Sequence, residues 1–326
     1  MSKPSVFLSP AIGTAPSRNA TSRGGRAISR RLQWWLRGAL LAALGLLTAC
    51  EERSLAYALT SGGQIIGFDV QNPGTLSNAV TVSGLASGDG LLSLSYRPAD
   101  GGFYAISTQN RLYKVDPASG LASLIGSAAF SGATLVSPVA AFDPARDQLR
   151  VVDAGHNLRV SAVDGSLVAS DSPPVYATGD AHAGTAPNLV ALGSMPLDGH
   201  SPATVYALDF ATQSLVSLGS IGGSPQPADS GALQTVAKLG VSFIASGGFS
   251  SQPDGATSYA ALSASTSSGA SLYQLDLSNG TVTAVNTIGG GGYTVLALAV
   301  GPKRRISTVA NGASATTTTA TSASTQ

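Results

Sequence analysis

Between Phe142 and Arg159 the chain gathers polar side chains that could do chemistry: Asp143, Asp147, Arg150, Asn157 and Arg159. Asp and Asn oxygens suit a hard cation such as Ca²⁺, which takes six to eight oxygen ligands. The guanidinium groups of Arg150 and Arg159 compete for those oxygens, which favours an ion-paired, hydrogen-bonded turn. Asp180-Ala181-His182 and Asp198-Gly199-His200 are two Asp-x-His pairs. Neutral imidazole beside a carboxylate can ligate Zn²⁺ or act as a base with its orienter. Both pairs stand in Gly- and Pro-rich loops without the spacing of a metal motif, so solvated loop residues are the simpler reading. Serine is abundant, but no Gly-x-Ser-x-Gly precedes a helix. Gly289 to Gly292 lacks the Lys-Ser/Thr of a phosphate loop. No catalytic residue and no cofactor is expected.

The elements that must hold these residues read as short strands. Leu112-Tyr113-Lys114-Val115-Asp116-Pro117-Ala118-Ser119-Gly120 and Leu272-Tyr273-Gln274-Leu275-Asp276-Leu277-Ser278-Asn279-Gly280 share one design. Val205-Tyr206-Ala207-Leu208-Asp209 is a shorter copy, and Ile65-Ile66-Gly67-Phe68-Asp69 a looser one. Each is an alternating strand ending in Asp, and the longer copies add Gly where a tight hairpin needs positive φ. A Tyr-bearing strand usually comes first, at Tyr57, Tyr104 and Tyr259, and a more apolar strand precedes that, as at Leu91–Tyr96, Val139–Phe142 and Asn188–Leu192. The regular recurrence of Tyr57, Tyr104, Tyr206 and Tyr259 marks packing.

Four strands per unit, about 47 residues apart in the clearest copy, is the pattern of one propeller blade. The reading is all-β: a β-propeller of five four-stranded blades, with a pair of β-sandwiches as the alternative. In the third unit Val205–Asp209 is read as the second strand, because that register avoids a long structureless loop after Gly219. Tyr293–Val300 has no partner strand after it, and Leu55–Asp69 begins a unit without an inner strand. The two fragments complete one blade, so the N- and C-terminal strands close the ring.

Composition agrees. Charged residues are 11% and aromatics 6% of 326, with 39 Gly and 17 Pro. Glu occurs only at Glu51 and Glu52, and Lys is scarce, so good helix formers are missing. The net charge of +1 hides a segregation: the first fifty residues carry seven Lys and Arg and no acid, leaving eleven basic against seventeen acidic residues. An acidic domain repels phosphate backbones, which excludes nucleic acid as a partner.

Residues 29–50 read SRRLQWWLRGALLAALGLLTAC. A basic stretch precedes an apolar run from Gly38 to Leu47, too short to span a bilayer of about 30 Å and of the length of a signal-peptide core. Ser29-Arg30-Arg31 also looks like a twin-arginine signal, with general secretion favoured. Leu47-Thr48-Ala49-Cys50 resembles the bacterial lipobox, and Cys50 is the only cysteine. The resemblance implies cleavage before Cys50 and its acylation, and two or more acyl chains anchor a protein stably. Glu51 follows where Asp would signal inner-membrane retention, which favours the outer membrane. The expected organisation is a signal peptide (1–49), a lipid-attachment linker (50–54), the propeller (55–302) and a disordered Ala/Ser/Thr-rich tail (303–326).

Two groups of words carry a more specific likeness. The first runs from Gly84-Leu85-Ala86-Ser87-Gly88 through Tyr96-Arg97-Pro98-Ala99 and Phe103-Tyr104-Ala105. The second is Phe142-Asp143-Pro144-Ala145-Arg146-Asp147-Gln148-Leu149-Arg150, followed by Asn157-Leu158-Arg159. In this order and spacing they resemble the bacterial family called domain of unknown function 4394, over roughly residues 55–300. The resemblance implies a secreted propeller-like domain and brings no activity. The expected function is a lipid-anchored binding or scaffold module at the cell envelope, with other envelope proteins or glycans as partners. The alternatives are a propeller hydrolase or lactonase with a channel metal, and a structural or adhesion protein of the surface.

Overall fold

The computed structural model describes residues 50–197 and 200–307. The expected signal peptide, Asp198 and the chain beyond Ser307 lie outside the described residues, and of His200 only the backbone is described.

Strands β1 (Cys50–Thr60), β2 (Gln64–Asp69) and β3 (Asn72–Thr81) come first. A second group is β4 (Ser95–Arg97), β5 (Gly102–Ile106), β6 (Leu112–Val115) and β7 (Ala122–Ile125). A third is β8 (Val139–Asp143), β9 (Gln148–Val152), β10 (Asn157–Ser161) and β11 (Leu167–Asp171). The fourth begins with the two-residue β12 (Val175–Tyr176) and continues as β13 (Leu189–Leu197), β14 (His200–Asp209), β15 (Ser214–Leu218) and β16 (Ala232–Lys238). The fifth is β17 (Gly247–Ser251), β18 (Ser258–Leu262), β19 (Ser271–Leu275) and β20 (Val282–Thr287), and β21 (Val295–Ser307) ends the series.

These strands make five sheets, which are the five blades of a propeller rather than two sandwiches. Blades II, III and V each run in chain order from an inner to an outer strand. Blade I is composite, in the order β21-β1-β2-β3, so a strand from the far end of the chain supplies its inner position. The expected closure is therefore present, with Ala56 opposite Val300 and Ala58 opposite Leu298. In blade IV β14 pairs with both β13 and β15, so Val205–Asp209 is the second strand, as read from the sequence. Its outer edge carries one strand that the repeat pattern did not contain: β12 lies parallel to β16.

Two boundaries differ from expectation. The inner strand of blade II starts at Ser95 rather than Leu91, because the Ser93 hydroxyl accepts the Ile106 N–H at 3.0 Å where a ladder carbonyl would otherwise serve. Strand β21 runs on to Ser307, past Pro302, because 303–307 pair with Ser54 back to Cys50 as a two-stranded ribbon.

Alternation along each strand sends successive side chains into different junctions between blades. Ala56 and Ile66 pack between blades V and I, whereas Leu59 and Ile65 pack between I and II. Tyr104 and Leu149 fill the II–III junction, Val152 and Leu189 the III–IV junction, and Leu208 and Phe249 the IV–V junction. The core is thus five wedges, which is why strands such as Ile65-Ile66 are buried on both faces.

The outer hairpins lock the blades edge to edge. Gly120 closes the β6–β7 turn at φ +76° and donates its N–H to the Asp116 carbonyl at 2.8 Å. A Cβ there would lie 2.5 Å from the Thr81 carbonyl oxygen of the preceding blade. Gly280 repeats the device at φ +70°, with Ala237 of blade IV as its close neighbour. Positive φ and close approach together demand glycine at both sites.

Candidate functional site

The second strands of the blades share one position. Tyr57, Tyr104, Tyr206 and Tyr259 stand opposite Ala299, Ser95, Gly193 and Ser250 of the neighbouring inner strand. Each tyrosine projects into one inter-blade wedge, so their recurrence is packing. In blade III the same position, opposite Ala141, is Arg150. Its side chain is only 1% exposed, in the III–IV wedge.

Arg150 is held by groups that its own turn does not supply. It donates to Asn157 Oδ1 at 2.7 Å, to Asp171 Oδ2 at 3.0 Å and to Asp229 Oδ1 at 2.6 Å. Asp171 also receives a two-pronged contact from Arg159, at 2.8 and 2.9 Å. Asp229 also receives Arg146 at 2.7 Å. Asp229 belongs to blade IV, in a short 3₁₀ turn (Ala228–Ser230) before β16. Asn157 donates to the Ala228 carbonyl of that same turn at 2.9 Å. The cluster therefore ties blade III to blade IV with charge-assisted bonds. Burial raises the Asp229 carboxyl, but the hydrogen bonds of Arg146 and Arg150 outweigh it and bring it down to about 2. The wedge still has an aromatic ring, since Tyr176 of β12 is buried there and donates to Asp209.

The five polar residues singled out in the sequence are thus divided. Arg150, Asn157 and Arg159 come together. Asp143 is buried and caps its own turn, accepting the Ala145 N–H at 3.0 Å and the Arg146 N–H at 3.3 Å. Asp147, at φ +52°, points the other way and accepts from Arg97 Nε of blade II at 2.8 Å. Arg97 in turn lies over the Tyr104 ring, 5.7 Å from its centre. Asp100, also beside Tyr104, is raised by burial, yet bonds from Lys114, Tyr104 and the Gly102 N–H lower it to about 2. Blade III is clamped on both flanks, by Asp147 towards blade II and by Arg146 and Arg150 towards blade IV.

Arg97, Arg146, Asp171 and Asp229 were missed as site residues. Aligning the second strands would have exposed Arg150 as the exception among tyrosines and prompted a search for its acids.

Of the two Asp-x-His pairs only Asp180 and His182 have described side chains; Asp198 and the His200 side chain lie outside the described residues. Asp180 accepts the backbone N–H groups of His182 and Thr235 and the Thr235 hydroxyl, at 2.9, 2.7 and 2.8 Å. The His182 ring meets Tyr176 edge-on, with centres 5.5 Å apart. Among the described residues no group of three or more His, Cys, Asp and Glu side chains converges as a metal site.

The axis of the ring is narrow and mostly apolar. Leu94, just before β4, lines it together with Ala140, Leu192 and Leu298 from three other inner strands. Where the inner strands end there is a small cavity of about 50 Å³ that opens to solvent. Ser194, Ser251, Gln252 and Tyr96 line this mouth together with Pro98, Pro144 and Pro253. The same face carries the ribbon that begins at Cys50.

A clear acid response follows from the clamps. Asp229 and Asp100 are held below the unfolded carboxylate value, so both stabilise the fold above about pH 4 and lose that contribution as pH falls towards 2. After allowance for solvent screening each is worth about 1 kcal/mol. The melting temperature, followed by circular dichroism, is expected to be steady from pH 7 to 5 and to drop between 4 and 2. Asp229→Asn should melt lower at pH 7 and show a shallower acid drop.

Comparison with known proteins adds a family. Solved structures with a similar trace include a protein of unknown function from Bacteroides thetaiotaomicron, at 12% identity and TM-score 0.42, covering 63% of this chain and 52% of that one. This chain therefore spans about half the length of that protein. A nidogen/laminin complex matches at 13% identity and TM-score 0.41, covering 76% of this chain and 98% of that one. No curated protein matches the sequence. A family match spans residues 64–299, from β2 into β21, and takes in blades II to V, part of blade I and both clamps of blade III. The chain belongs to the family described as Domain of unknown function (DUF4394).

Proposed function

We propose that this propeller is a lipid-anchored module of the cell envelope that binds or scaffolds rather than catalyses. The observation that carries the binding reading is the character of the channel mouth. Its lining is neutral hydrogen-bonding groups among apolar rings, with no Asp, Glu, His, Lys or Arg among the described lining residues. The charged groups of blade III are engaged elsewhere, in joining blades. A mouth of that kind offers shape and hydrogen bonds to a partner.

The anchoring part rests on Leu47-Thr48-Ala49-Cys50. With β1 starting at Cys50, an anchor there would attach at the face on which the mouth opens. Expressed in a diderm bacterium, the wild type is expected in the membrane fraction, with a Cys50 peptide heavier by a diacylglycerol group. Cys50→Ser is expected in the soluble fraction. An unmodified Cys50 peptide, or identical fractionation of the two, would refute the anchor. The binding reading is tested separately, by incubating the purified protein with ester and lactone substrates. Turnover that disappears with a chelator would replace it with a metal-dependent hydrolase.

A further inference from the structure

We propose that the groove beside the terminal ribbon, where Arg53 and Arg304 stand opposite each other, holds the phosphate of an anionic membrane lipid headgroup. This deepens the anchoring part of the reading above and rests on it.

Register brings the two arginines together. Arg53 of β1 is the cross-strand partner of Arg304 of β21, and directly opposed residues share one face of a ladder. Both line a groove of about 510 Å³ on blade I that lies open to solvent. Lys303 and Arg305 fall on the other face of the ribbon. There they pair with Asp254 at 3.0 Å and with Glu52 at 3.1 Å. Arg304 is exposed and makes no ion pair among the described residues. Arg53 meets Asp69 at 3.6 Å, and Asp69 is the single acid of the groove lining. The groove therefore keeps a surplus of positive charge.

Like charges directly opposite each other weaken a strand pair. A phosphate held between the two guanidinium forks converts that repulsion into charge-assisted bonds. Asn72, Thr75 and Ser77 add exposed amide and hydroxyl groups, and Leu55 and Leu76 add half-buried apolar surface. The groove is far wider than a bare phosphate needs. Its mixed lining suits a phosphodiester that carries glycerol.

Place and charge select the source of the phosphate. Arg53 lies three residues from Cys50, about 10 Å along a strand, so an acylated Cys50 brings the groove to the headgroup layer. Residues 55–302 carry seven Lys and Arg against fifteen Asp and Glu. The ribbon, 50–54 with 303–307, carries four against two. An anionic bilayer attracts the ribbon and repels the rest, which turns the groove towards the lipid.

The test is a ¹H–¹⁵N NMR titration of the purified wild-type protein in an uncharged maltoside detergent, following the side-chain signals of Arg53 and Arg304. The probes are dihexanoyl phosphatidylglycerol, dihexanoyl phosphatidylcholine and inorganic phosphate. Saturable shifts are expected with phosphatidylglycerol, and binding of the other two is expected to be weaker by about fivefold or more. Arg304→Gln should lower the affinity for phosphatidylglycerol about five- to tenfold. Because that change removes an opposed charge, it should melt no lower than wild type. Lys303→Gln, on the other face, should bind within about twofold of wild type. No saturable shift, inorganic phosphate bound as tightly as the lipid, or equal losses in Arg304→Gln and Lys303→Gln would each overturn the headgroup site. An unmodified Cys50 peptide in the same sample would instead overturn the anchor, whatever the titration gives.

Discussion

Truncation after Thr294 is expected to abolish the folded ring. Strand β21 supplies the inner position of blade I and packs against β17 of blade V and β4 of blade II. It buries Val295, Leu298 and Val300 almost completely. Each such side chain is worth about 1.5–3 kcal/mol, so these three alone approach the whole stability of a typical domain, about 5–15 kcal/mol. The loss would also expose β1 as an unpaired edge. Truncation after Pro302 keeps all of these residues. It removes only half of the ribbon and the exposed pairs Lys303–Asp254 and Arg305–Glu52, which contribute little. Thermal melts with light scattering check the pair: a cooperative transition near wild type for the shorter deletion, and aggregation without one for the longer. Equal cooperative melting of both would contradict closure by β21.

Arg150→Ala is expected to be the most damaging single substitution at the blade III clamp. It leaves a void and strips Asp171 and Asp229 of a buried cation at once. Removing one partner of a buried ionic group costs about 3–5 kcal/mol. At about 2–4 °C per kcal/mol for a domain of this class, the melting temperature should fall by about 10 °C. Arg150→Tyr restores the residue type of the other blades, yet should not rescue, because the acids of blade IV remain. Asp147→Ala breaks a clamp whose carboxylate is 40% exposed, so it should cost clearly less. Denaturant unfolding of the three variants checks the order. An Arg150→Tyr protein as stable as wild type would show that the wedge needs only volume.

Much of the ring was legible in the sequence because it rests on local chemistry. Alternating strands ending in Asp, with Gly four residues later, give the hairpins of Asp116 and Asp276, whose carboxylates bond the backbone two residues on. Unpaired apolar strands at either end implied the composite blade. The site was less legible, because its partners are distant. Asp229 stands 79 residues from Arg150 in a loop whose composition resembles any other loop. No local pattern announces that a carboxylate will be carried across a blade junction. The strand limits failed for a related reason. At Ser93 a side chain replaces a backbone acceptor, and at 303–307 pairing depends on a partner from the opposite end of the chain.

The composite blade also governs when the molecule can exist at all. Ala56 cannot meet Val300 until every residue between them has been made. Closing a loop of that length carries a large entropy cost before any contact offsets it, and such long-range topologies fold slowly. During synthesis blade I waits as a three-stranded fragment, while blades II to V, each continuous in the chain, can assemble in turn. The open arc then has two unpaired ends, and arrival of β21 converts it into a ring without any. A nascent chain of this design stays pliable until β21 has been made, and becomes rigid in that one step.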